Sequence, residues 1–152
     1  MQVETLRDVL HGTKEFHQHL SQCLSHGADK NIDERAQMHL TYLSDHEKSL
    51  TKAISGFQAS GEEHALNTWF YEYIQEHPII RHVHCDAPFA ELDARQIMEV
   101  IVDQHQQVIE LYRTLASQAV IPSAVELLEA LRSLEEHESM RMTHAANRFD
   151  DM

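Results

Sequence analysis

Helix breakers are scarce: four glycines and three prolines in 152 residues are too few to punctuate a many-stranded sheet, so long helices are favoured. Two cysteines, Cys23 and Cys85, lie far apart with no CxxC spacing. That excludes a disulfide framework and fits free thiols in a reducing compartment, with the cytoplasm as the expected location. Positive charge is short as well, with 12 Lys and Arg against 25 Asp and Glu, a formal charge of −13. A polyanionic nucleic acid is therefore excluded as a partner. No apolar run is long enough to span a bilayer, and the N-terminus lacks a basic patch leading into an apolar segment, so neither a membrane nor a secretory signal is expected. A hydrophobic content of 42% argues against disorder, and the length suits one domain over residues 1–152.

The apolar periodicity predicts four long helices. The first runs from about Val3 to His26, on Leu6, Leu10, Leu20 and Leu24, with Gly27 as its stop; its stripe is broken at Thr13 and His17. The second starts near Asp33 and carries Ala36, Leu40, Leu43, Leu50, Ile54 and Phe57, with Glu47 in mid-stripe. A short helix follows, started by a Ser60/Glu63 capping box, bearing Leu66, Trp69, Phe70, Tyr73 and Ile74 and ended by His77-Pro78. Its aromatic residues are expected to fasten the crossover to the bundle. Residues 78–88 read as extended. An Asp93/Gln96 capping box and a Leu92/Ile97 staple start the third long helix, which reaches about Ala119 and is broken at Gln104 and His105. The fourth follows Pro122 with a Ser123/Glu126 box and is broken at Glu138 and Arg141.

Residues 1–58 overlie 92–149 without a gap at an offset of 91, matching His46-Glu47 to His137-Glu138. Two helical hairpins joined by a crossover over 59–91 imply an all-α, ferritin-like four-helix bundle with an internal duplication. Glu15, His46, Gln106 and His137 each lie about fifteen residues from a turn, so the polar breaks should meet in one central layer. Glu47 and Glu138, as carboxylates in a dry stripe, then need positive partners.

The segments Leu43-Ser-Asp-His-Glu-Lys-Ser-Leu50 and Leu134-Glu-Glu-His-Glu-Ser-Met-Arg141, with Val108 to Ala116 before the second, resemble the rubrerythrin branch of the ferritin-like superfamily. In that group, each half gives a glutamate from its first helix and a Glu-x-x-His from its second, and the six hold two irons that handle peroxide or ferrous ion. The resemblance puts Glu47 and Glu138 on the two Glu-x-x-His glutamates. It puts Leu50 and Arg141 on the histidines, and Lys14 and His105 on the first-helix glutamates. Only two of six ligands survive. It also implies a homodimer.

Two functions follow. The leading one is a vestigial, metal-free bundle in which Lys14 and Arg141 pair with Glu47 and Glu138, serving as a binding or regulatory module. The competing one is a metal-dependent oxidoreductase of peroxidase or ferroxidase type, holding iron or another divalent metal through Glu47, Glu138 and His105, with His17, Glu15, His46 and His137 as further candidates. His82, His84, Cys85 and Asp86 form an incomplete zinc-like cluster that reads as a solvated loop. His39 and His46 read as residues at the edge of the buried stripe. Cys23 reads as packing. No nucleophile triad or phosphate loop is present.

Overall fold

The computed structural model describes residues 5–70 and 87–150. Four long helices dominate: α1 (Leu6–Lys30), α2 (Glu34–Ser60), α5 (Ala94–Gln118) and α6 (Pro122–Asp150). Two short ones, α3 (Glu63–Leu66) and α4 (Ala87–Glu91), flank the crossover. Among the described residues there is no strand, only an isolated bridge between Thr5 and Trp69.

Each hairpin pair begins with the same local device. Thr5 caps α1 and Asp93 caps α5, each in a reciprocal capping box, with Asp8 and Gln96 respectively. The predicted apolar stripes bury Leu6, Leu10, Leu20 and Leu24 on α1, Leu40, Leu43, Leu50 and Ile54 on α2, and Ile97, Ile101, Val108 and Leu115 on α5. The helix pairs α1/α2 and α5/α6 form the two hairpins, and α2 packs across to α5 and α6. The Asn31 side-chain amide, in the α1–α2 turn, donates to the carbonyls of Phe89 at 3.0 Å and Leu92 at 3.2 Å. That ties the start of α5 to the end where α2 starts, so the two helices run parallel. Leu6 N–H donates to Thr68 O at 2.8 Å, which holds the other side of the crossover at the opposite end.

Several sequence expectations need correction. Gly27 lies inside α1 rather than ending it. A Cβ there would sit 2.5 Å from Phe89 Cβ, so the glycine serves close approach of α4, not helix termination. Ser60 is the last residue of α2 and Ser123 lies within α6, so neither opens a capping box. The helix after Ser60 ends at Leu66; Phe70 is buried, but Trp69 is 67% exposed and does not fasten the crossover through its ring. Tyr71, Tyr73, Ile74, His77, Pro78, His82, His84, Cys85 and Asp86 lie outside the described residues. His39 is fully buried rather than at an edge.

The register between the hairpins also differs from the offset of 91. Thr5 and Asp93, Leu6 and Ala94, Lys30 and Gln118, and Glu34 and Pro122 are each 88 residues apart. A slip of three residues turns a helix by about 300°, close enough to a full turn for one apolar stripe to imitate the other.

A candidate metal centre of two histidines and two glutamates

One polar side chain from each long helix meets in the middle of the bundle: His17 from α1, Glu47 from α2, His105 from α5 and Glu135 from α6, all wholly buried. They alternate around a ring. Glu47 accepts from both histidines, from His17 Nδ1 at 2.6 Å and from His105 Nε2 at 2.5 Å. Glu135 faces the other nitrogen of each ring, with His17 Nε2 at 2.5 Å and His105 Nδ1 at 3.4 Å. The fourth edge is open. Its two atoms lie within ion-pair range, yet His105 Nδ1 and Glu135 Oε2 make no hydrogen bond, and both are buried. At 3.4 Å the two atoms lie beyond the usual range of about 2.7–3.2 Å for an N–H···O hydrogen bond.

The ring obeys the 88-residue register, since His17 pairs with His105 and Glu47 with Glu135. Neighbouring groups hold it in place. Phe16 meets the His17 ring edge-on at 5.4 Å. The two imidazoles are themselves 5.4 Å apart. One turn from His17, Tyr112 donates to Thr13 Oγ1 at 2.8 Å, and Thr13 donates onward to Leu10 O. On the α1–α2 side, Ser21 and Ser44 exchange bonds with each other's carbonyls at 3.1 and 2.9 Å.

Electrostatics oppose burial at His17, Glu47 and His105, and reinforce it at the neighbouring Tyr112. Burial works against charge on His17, but Glu135 and Glu47 outweigh it and raise its pKa to about 10. For Glu47, burial favours the neutral acid, but His105 and His17 pull its pKa down to about 2. His105 is likewise raised against its burial, chiefly by Glu47. Tyr112 is pushed well above its ordinary value by burial and then by Glu135. Without a metal, a protonated His17 can therefore balance an ionised Glu47.

The expected central layer thus exists, but its membership differs. Glu47, His105 and His17 are in it; Glu138 is not. Glu138 lies at the rim, 13% exposed, bonded to His46 Nδ1 at 2.9 Å and near Arg141 at 3.6 Å. The His46 ring lies against that of Tyr42, tilted by 49° with centroids 4.4 Å apart. Arg141 does pair with Glu138, but on the surface. Glu47 takes two histidines rather than Lys14 as partners. Glu15 sits outside, against His11 at 3.1 Å, and His137 is exposed. Glu135 is the residue that the sequence reading missed. The matching pair of capping boxes, Thr5/Asp8 and Asp93/Gln96, carries the 88-residue register and would have found it.

His17, His105 and Glu135 offer ligand atoms that all lie within 4.8 Å of one another. The open groove between α5 and α6, lined by Met98, Val102, Thr143 and Ala146, involves none of them.

No family model matches the sequence, and no curated protein matches it either. The fold, however, is ferritin-like. The crystal structure of a "putative ferritin-like diiron-carboxylate protein" from Thermotoga maritima matches it with a TM-score of 0.66, over 97% of each chain, at 9% sequence identity. The donor set does not fit the six-ligand, two-iron arrangement of the rubrerythrin resemblance. Only four ligand-type side chains form the ring, and Leu50, one turn beyond Glu47, offers no donor. Glu138, at the corresponding place beyond Glu135, is engaged by His46 at the rim.

Proposed function

We propose that this protein is a ferritin-like metal-binding protein whose centre is the His17/Glu47/His105/Glu135 ring. The observation that supports it most is the pair of buried ligand atoms that lack a hydrogen bond, His105 Nδ1 and Glu135 Oε2, facing each other at 3.4 Å. Two ligands held at tetrahedral angles by an ion with bonds of about 2.0–2.1 Å are roughly 3.3 Å apart. Orphaned buried polar atoms are otherwise costly. Imidazole and carboxylate donors together suit a borderline divalent transition metal such as zinc, iron, cobalt or manganese. Bound there, such an ion would supply Lewis-acid or redox chemistry to a ligand no larger than water or dioxygen, given how completely the ring is buried. The oxidoreductase reading belongs to this proposal in that altered form, without Glu138 as a ligand.

A second reading keeps the ring metal-free, as a charge-balanced network that specifies the packing of a binding or regulatory module. The three hydrogen-bonded edges favour it. Metal analysis of untagged protein separates the two. The first reading predicts bound transition metal in the wild type and none in Glu135→Gln, while stoichiometric absence of metal after incubation with zinc, iron and cobalt favours the second. The homodimer and the cytoplasmic location belong to the same proposal, as does an origin by duplication, which the 88-residue register supports.

A further inference from the structure

We propose that the ring holds one ion rather than two, on its Glu135 side. Its ligands there are His17 Nε2, His105 Nδ1 and a Glu135 oxygen, while Glu47 positions both imidazoles without touching the metal. This rests on the metal-binding reading above and divides the labour among its residues.

The argument starts from imidazole chemistry. A neutral ring has one N–H and one lone pair, so it binds a metal through one nitrogen only and donates a hydrogen bond through the other. Each histidine shows one nitrogen to Glu47 and the other to Glu135. An ion on both sides would require each imidazole to lose both protons. One side must therefore be the metal side and the other the hydrogen-bond side.

The edges tell them apart. Both contacts to Glu47, at 2.6 and 2.5 Å, are closed hydrogen bonds, which is how a carboxylate behind metal-bound histidines fixes their tautomer and orientation. On the Glu135 side one edge is already open to 3.4 Å with neither atom bonded. The 2.5 Å contact between His17 Nε2 and Glu135 Oε1 has to widen for an ion to enter. The result is a site of two histidines and one carboxylate, which leaves coordination positions free, whereas carboxylate-bridged pairs need two ions about 3.5–4 Å apart. The tautomers follow: N–H on Nδ1 of His17 and on Nε2 of His105, the opposite nitrogens in the two rings.

Zinc-loaded wild-type protein, with its histidine ring nitrogens labelled by 15N, tests this without any substitution. We expect His17 metal-bound through Nε2 and His105 through Nδ1, with one zinc per chain by equilibrium dialysis. Cobalt binding to Glu47→Gln should keep the ligand-field spectrum of the wild type while weakening affinity about 10–100-fold. Glu135→Gln should lose that spectrum. The reversed tautomers, two ions per chain, or an altered cobalt spectrum in Glu47→Gln would overturn the division of labour yet leave metal binding intact. A wild type that binds neither metal at the ring would instead sink the reading beneath it. If Glu47→Gln does not fold, the nitrogen spectra decide alone.

Discussion

Two histidine–carboxylate clusters share α2 and α6, the ring drawing also on α1 and α5. His46 and Glu47 are consecutive on α2, and Glu135 and Glu138 are one turn apart on α6, yet one member of each pair enters the ring and the other stays at the rim. The ring is wholly buried, and each of its acids faces two imidazoles. At the rim, Glu138 has one imidazole, a distant guanidinium and access to water. The same chemical groups thus face very different dielectrics. Desolvation makes the inner cluster an all-or-nothing assembly, while water makes the outer pair replaceable.

The comparison breaks most plainly by truncation. Glu135→Ala leaves three buried ring members out of balance and should destabilise the metal-free protein by roughly 3–5 kcal/mol in urea denaturation. An effect near zero would mean that water reaches the ring. The pH profile sharpens the contrast. His17, raised from 6.5 to about 10, stabilises the fold fully below about 6.5 and loses that contribution as pH climbs through 10. Glu47, lowered from 4.5 to about 2, contributes fully above about 4.5 and loses it as pH falls through 2. Metal-free protein should therefore have the stability contributed by His17 and Glu47 complete between about pH 4.5 and 6.5, with decline on either side in thermal unfolding. Glu138→Ala should cost only about 1 kcal/mol and leave metal stoichiometry unchanged. Arg141→Met should be smallest, within about 0.5 kcal/mol, since Arg141 is 60% exposed. A cost of several kcal/mol there would restore the buried Arg141–Glu138 pair expected from the sequence.

Much of this architecture is legible in the sequence. Stripe periodicity gave the four rods, and the Asp93/Gln96 box gave the start of α5 to the residue. Glu47, His17 and His105 stood out because each interrupts an apolar face. Glu135 did not, because Glu135 and Glu136 follow each other in a charged stretch, and only the register says which faces inward. The repeated His-Glu dipeptide at 46–47 and 137–138 then drew the alignment three residues off. Helix periodicity tolerates that slip, and capping boxes do not, since each marks one residue as the start. The extent of α1 is hidden for a different reason: a glycine looks like a stop in sequence, while Gly27 answers to Phe89, which is distant in the chain.

Crystals grown with zinc and measured on both sides of its absorption edge address the central claim most directly. One anomalous peak per chain, bounded by His17 Nε2, His105 Nδ1 and Glu135, is the predicted result. A fully loaded crystal with no peak there, or with its peak between His46 and Glu138, would contradict the account.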